Sequence, residues 1–238
     1  MINLSERSVQ KELLDADDIP FADIRQNLKE LDLINSKLGG HAVSISAVKT
    51  IIERNKPANV TICEIGCGGG DNLAAIYNWC SKNNVQVQLI GIDIKKECIE
   101  FARQQHPTLP ATWITNDYNA FTFTKKPSII FSSLFCHHFT DEDIVLMLHW
   151  MQSNSAIGFF INDLHRHPVA YFLIKKLTAL LSSSYLVRND APLSVARGFK
   201  KQELEKLLQN AGISNYSVHW KWAFRYLIIC DKYGTKDL

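Results

Sequence analysis

Long apolar runs are missing from this sequence, and none approaches the roughly 18 residues a bilayer-spanning helix needs, so no membrane partner is expected. Charge of one sign is missing too. The 26 Lys and Arg stand against 24 Asp and Glu, a net +2, and they are scattered, so no basic face for nucleic acid is expected. Six cysteines (Cys63, Cys67, Cys80, Cys98, Cys136, Cys230) form no C-x-x-C pair, which argues for buried thiols against a disulfide framework or zinc site. No other cluster of metal ligands is evident by spacing, so no metal is expected. The first twenty residues, MINLSERSVQKELLDADDIP, are polar and acidic without an apolar core, so neither a signal nor a transit peptide is expected and the chain reads as cytoplasmic. Met1 to Lys11 are expected to be poorly ordered. Repeats, low-complexity tracts and long linkers are absent, and 238 residues that are 46% hydrophobic suit one large core.

What is present is alternation. Short β-rich runs (NVTICEI, VQVQLIGID, ATWITND, PSIIFSSLF, AIGFFIND) alternate with amphipathic stretches (DNLAAIYNWCSK, KKECIEFARQQH, TDEDIVLMLHWMQ, HPVAYFLIKKLTALLSS), which predicts βα units around a mostly parallel sheet. Asp71 is a candidate N-cap, Thr140 and Asp143 stand at capping-box spacing, and Pro168 suits a first helical position. A helix over KKQELEKLLQNAG is closed by Gly212. The final runs, SNYSVHWKWAF and RYLIICDK, leave no room for a crossover helix and should pair as an antiparallel hairpin. The expectation is an α/β, Rossmann-like, seven-stranded sheet with helices on both faces. Residues 1–50 should form a helical cap and residues 51–238 the main domain, with SSSYLVRNDAPLSVARGF as a polar loop between two helices.

Eleven glycines are few, yet four of them stand at positions 66, 68, 69 and 70, directly after a strand and before a helix. A turn that sheds side chains at the carboxyl end of the first strand of an open α/β sheet is built for close approach of a ligand. Gly66, Gly68 and Gly70 alternate, with Glu64 two residues ahead. That E-x-G-x-G-x-G pattern resembles motif I of the class I S-adenosylmethionine-dependent methyltransferases. Asp93, ending the second strand, matches the family's carboxylate that accepts from both ribose hydroxyls; Ile94 matches the apolar cover of the adenine. Asn116 and Asp117, ending the third strand, match the position that reads the adenine amino group. SIIFSSLFCHHF resembles motif IV of the small-molecule branch, with Ser133 beside the cofactor. The resemblance implies S-adenosylmethionine as cofactor and S-adenosylhomocysteine as product. Glu64 would orient the loop or meet the cofactor's ammonium.

Methyl transfer from a sulfonium needs alignment of the acceptor and, for a hydroxyl, removal of its proton. His138 or His165 could be that base, since histidine titrates near neutral pH. The base-methylating D/N-P-P-Y/F signature is replaced by Ser132, Ser133, Leu134 and Phe135, which argues against nucleobase amino groups. The segment around NDLHRHPVAYFLIKKLTALL, with its N-terminal helices, is similar to methyltransferases of bacterial secondary metabolism that modify phenolic or polyketide-derived compounds, and broadly to quinone-biosynthesis methyltransferases. In those enzymes an insertion, here about 164–199, forms a lid. His137, Arg166, Arg188 and Arg197 are candidate acceptor contacts. O-methylation of a small aromatic, phenolic or polyketide-like molecule is the expected activity. The alternatives are C- or N-methylation, a noncatalytic cofactor-binding regulator and, remotely, a nicotinamide-dependent oxidoreductase, whose G-x-G-x-x-G would clash with Asp71.

Overall fold

The computed structural model describes residues 3–16 and 18–232. Two helices lead: α1 (Phe21–Lys37) and α2 (Gly40–Asn55). Then follow β1 (Val60–Ile65), α3 (Asp71–Lys82), β2 (Val87–Asp93), α4 (Lys96–Gln105), β3 (Ala111–Thr115), β4 (Ile129–Ser133), α5 (Asp141–Asn154) and β5 (Gly158–Leu164). The chain ends with α6 (Pro168–Leu181), α7 (Tyr185–Arg197), α8 (Lys201–Asn210), β6 (Tyr216–Lys221) and β7 (Arg225–Asp231). The sheet has seven strands in the order β3-β2-β1-β4-β5-β7-β6. Its first five strands run parallel and β7 lies antiparallel between β5 and β6, as the hairpin reading required.

Period-2 alternation divides the strands between two cores. Cys63, Ile130, Phe159 and Ile228 face α5 and α8; Ile62, Phe131, Phe160 and Leu227 face α2 and α3. Phe131 stacks on Phe160 with ring centroids 4.7 Å apart. All six cysteines are buried free thiols, five within these layers and Cys98 in a smaller cluster with Ile24, Leu28 and Phe101.

Local chemistry sets most element ends. Thr140 Oγ accepts from Asp143 N–H, Pro168 starts α6, and Gly212 takes positive φ just past α8. At α3 the cap is Gly70, at φ 79°, and Asp71 is the first helical residue instead. The polar loop expected between two helices is the helix α7, capped by the Ser184 hydroxyl on Val187 N–H. It carries Pro192 inside and is buried almost all round, so it shows no amphipathic stripe to betray it. The helix α2 packs its Val43, Ala47, Val48 and Ile51 against the sheet layer, so a cap boundary at residue 50 would cut through a sheet-facing element; α1 is the part that stands over the strand ends.

Met1 to Lys11 were expected to be poorly ordered, but residues 3–16 dock as a strap across the carboxyl ends of the strands. Residues 1 and 2 lie outside the described residues. Ser8 N–H bonds Ala196 C=O at 3.1 Å, and Arg7 reaches Asp141 at 2.6 Å and Phe139 C=O at 2.9 Å. Asp190 accepts both Leu13 N–H and Leu14 N–H, at 2.8 and 2.9 Å. Among the described residues, no helix is long and apolar enough to cross a membrane.

Candidate active site

Strap, α1, the glycine turn, the β4 and β5 ends and α6–α7 enclose one cavity of about 1600 Å³. Single-ligand pockets run to about 1,000 Å³, so this one has room for two molecules side by side.

One lobe is the glycine turn. Gly66, Gly68 and Gly70 all have positive φ (65°, 50° and 79°), the left-handed region that favours glycine. Space forbids side chains as well: a Cβ on Gly66 would sit 2.2 Å from the Phe135 ring, and one on Gly70 2.3 Å from the Trp113 ring. Asp93 fastens this loop, accepting Gly68 N–H and Lys95 N–H at 2.9 Å each. Each oxygen keeps a second lone pair for a ligand hydroxyl. Burial, partly offset by those two N–H groups, pulls its carboxyl upward. Glu64 is 1% exposed and its Oε2 has no partner. Burial first, then Asp71, drives its carboxyl well above the usual range. A ligand cation at this wall would give the orphaned oxygen its partner and restore the charge. Ile94 lines the same lobe while 68% exposed, an apolar side chain awaiting cover. Ser133, nearly buried, also lines it, its hydroxyl accepting from Asn162 Nδ2 at 3.3 Å.

The second lobe is mainly apolar: Leu31, Leu38, Phe139, Leu173, Ile174 and Leu177 are among its walls. Its polar wall is the paired histidines after β4. His137 is buried, with Nδ1 2.7 Å from Asp163 Oδ1 and Nε2 3.5 Å from Glu12 Oε1. Burial opposes charge on this ring, but the Asp163 carboxylate and then Glu12 outweigh it and push its pKa up to about 9. The two carboxylates thus favour the charged form of the His137 ring, which makes it the poorer proton acceptor of the pair. His138 lies beside it with ring centroids 4.4 Å apart, Nδ1 2.9 Å from Asp15 Oδ1 and Nε2 3.8 Å from Glu12 Oε2. Nδ1 thus faces the Asp15 carboxylate, and Nε2 faces Glu12 on the cavity wall. Arg197 is buried in this wall, its Nε donating to His137 C=O at 2.9 Å.

The remaining sequence-chosen residues lie elsewhere. His165 lines a separate surface pocket with His167, Lys200 and Tyr226, so the structure removes it as a base candidate. Burial, with the nearby charges of His167 and Arg166, draws its ring below the ordinary pKa. Arg166 is 2% exposed and committed to Glu203, to Gly198 C=O at 2.6 Å and to Leu4 C=O at 3.1 Å, which makes it a structural clamp and not an acceptor contact. Arg188 is exposed, bonding Ser182 C=O at 2.7 Å away from the cavity wall. Asn116 and Asp117 end β3 exposed and do not reach the wall; Asp117 caps Asn119 N–H at 2.9 Å.

Sequence reading passed over Glu12, Asp15, Asp163 and Arg225. Asp163, in the polar tail of a buried strand, had a signal beside His165. Glu12 and Asp15 had none, since they lie far along the chain from the histidines they meet. Arg225 opens β7 fully buried on the cavity wall, its Nη2 donating to Asn35 Oδ1 at 2.7 Å while Nε and Nη1 lack partners. Burial draws its pKa down to about 10, with Asp163 holding it up.

Residues 62–154 match the family model described as Methyltransferase domain. No curated protein matches the chain in sequence. Among solved structures, the plantazolicin methyltransferase BpumL in complex with SAH is 16% identical with a TM-score of 0.66, over 89% of this chain and 95% of that one. Magnesium protoporphyrin IX methyltransferase of Synechocystis with bound SAM is 14% identical, TM-score 0.55, over 84% and 83%. The plantazolicin methyltransferase BamL, with a triazolic desmethylPZN analog and SAH, is 17% identical, TM-score 0.57, over 84% and 76%. These likenesses are of fold.

Proposed function

We propose that the chain is an S-adenosylmethionine-dependent methyltransferase that methylates an oxygen of a small, largely apolar aromatic or polyketide-like molecule of secondary metabolism, met in the cytoplasm; the methyltransferase-domain match over residues 62–154 and the class I fold support the reading. The observation that carries this reading is the single large cavity, whose lining joins the glycine turn to apolar residues of α1 and α6 and includes His138. The BamL complex, with SAH and a substrate analog bound together, is a precedent for such an arrangement.

The cofactor supplies an electrophilic methyl group on a sulfonium. The chain's residues do the rest. Asp93 holds the ribose hydroxyls, Glu64 meets the ammonium and Ile94 covers the adenine. Asn116 and Asp117 assist from the β3 end only if their loop turns inward. Leu173, Ile174 and Leu177 align the acceptor by excluding water from its ring, which pre-sets the in-line approach. His138 Nε2 takes the acceptor's proton while Asp15 stabilises the imidazolium that forms. His137, whose charged form Asp163 and Glu12 favour, holds the wall and in that form presents a positive field that favours the oxyanion.

Transfer of label from methyl-labelled S-adenosylmethionine to a panel of phenols and polyketide-like enols tests the reading. We expect labelled methyl ethers, and in His138→Ala a fall in kcat of roughly 10²–10⁴ with unchanged affinity for S-adenosylhomocysteine. Label appearing on carbon or nitrogen would refute the oxygen assignment.

A further inference from the structure

The two histidines share a geometry that proton transfer by His138 alone does not require. Both rings present Nδ1 to a carboxylate, His137 to Asp163 and His138 to Asp15, and both turn Nε2 toward the same third carboxylate, Glu12. One ligand atom from each of Glu12, His137 and His138 lies within 4.8 Å of the other two on the cavity wall, with Glu12 Oε1 nearest His137 Nε2 and Oε2 nearest His138 Nε2. We propose that Glu12, His137 and His138 form a binding site for a divalent cation of borderline softness, Zn²⁺, Co²⁺ or Fe²⁺, with its open coordination positions facing the acceptor lobe.

Three features support the assignment. The Nε2–oxygen separations of 3.5 and 3.8 Å are long for charge-assisted hydrogen bonds, which run about 2.7–2.9 Å. They are near the ~3.4 Å between ligand atoms that each stand about 2.1 Å from a tetrahedral ion. Carboxylates on both Nδ1 atoms are the supporting contacts that metal-bound imidazoles ordinarily have, fixing the ring and raising its basicity. Two imidazoles and one carboxylate are a catalytic-type donor set: three protein ligands, chemically suited to zinc-like ions and poorly to Mg²⁺ or Ca²⁺. Spacing along the sequence could not reveal it, because the third ligand arrives on the N-terminal strap.

This inference rests on the methyltransferase reading of the same cavity and deepens it. Binding of the cation displaces to solvent any proton on the two Nε2 atoms, so His137 is then a neutral ligand held by Asp163, His138 is a ligand and no longer a base, and the cation takes over the task of making the acceptor acidic. An acceptor hydroxyl in an open position loses its proton to solvent water. Its oxygen then forms the O–C bond as the S–C bond breaks, and that bonding pair returns to sulfur, leaving a neutral thioether. Acceptors with a second oxygen beside the first, such as catechols or enolised β-diketones, could chelate the cation and would be preferred.

The test is a Co²⁺ titration of the untagged, chelator-treated full chain, followed by visible d–d absorption and calorimetry, with S-adenosylhomocysteine titrated in parallel. One Co²⁺ per chain is expected, displaced by Zn²⁺, with affinity lowered at least tenfold in Glu12→Gln and roughly 10- to 100-fold in Asp163→Asn. Glu12 lies on the strap, outside the sheet core, so retained S-adenosylhomocysteine binding in Glu12→Gln reports an intact fold. Absence of saturable Co²⁺ binding, or binding unchanged in both variants, overturns the site while leaving the cofactor reading standing. Loss of S-adenosylhomocysteine binding by the wild-type protein would instead strike the methyltransferase reading.

Discussion

Asp93 holds the glycine turn through Gly68 N–H and the approach to α4 through Lys95 N–H, so its replacement removes loop bonds and ribose acceptors together. For Asp93→Ala we expect affinity for S-adenosylhomocysteine to fall at least tenfold by calorimetry, an effect of roughly 1.5–3 kcal/mol. Urea unfolding should show a further loss of about 1–2 kcal/mol, which the cofactor contacts alone would not cause. Gly70→Ala is a different case: its Cβ would stand 2.3 Å from Trp113, and φ would stay at 79°. A cost of roughly 2–4 kcal/mol is expected in the same urea experiment. Both residues were legible in the sequence, since glycines and a strand-end carboxylate are marked by their type. The role of Asp93 as a fastener was not, because it depends on which N–H groups the fold brings near.

The elements that close the site show why part of it could not be read. The helix α7 is buried on nearly every side, and a helix without a polar face has no period to detect. The strap carries no apolar pattern either; it is held by hydrogen bonds to distant groups, and Asp190 of α7 is its central tether. Asp190→Ala should free the segment that brings Glu12 and Asp15 to the histidines. Steady-state kinetics should then show a raised KM for the acceptor while calorimetry shows unchanged binding of S-adenosylhomocysteine. Equal weakening of both would mean that the strap organises the glycine turn as well. The sheet, by contrast, was legible element by element, because its strands are short apolar runs and its last two are too close together for a crossover.

Across the whole molecule, Arg166 ties three distant parts of the chain, bonding Leu4 C=O and Ser5 C=O of the strap, Gly198 C=O and the Glu203 carboxylate of α8. Burial would raise the Glu203 carboxyl, but the Arg166 guanidinium outweighs it and holds it below the usual range. A depressed carboxylate contributes stability that is present above its ordinary value of 4.5 and is lost as pH falls through the lower folded value. Thermal melts of the wild type should therefore fall off below about pH 4.5, and Glu203→Gln should flatten that acid limb. At neutral pH the same variant should cost up to about 3 kcal/mol, because it leaves the buried Arg166 charge without its counterpart. Such long-range ties explain why Glu12 escaped sequence reading while the histidine pair did not. They also have a consequence in time. The strap is made well before its partners on α7 and α8. A growing chain makes its first strands and glycine turn early, but the acceptor chamber acquires its acidic residues only once α7 is there to tether them, so the wall that meets the acceptor is assembled after the turn that meets the cofactor.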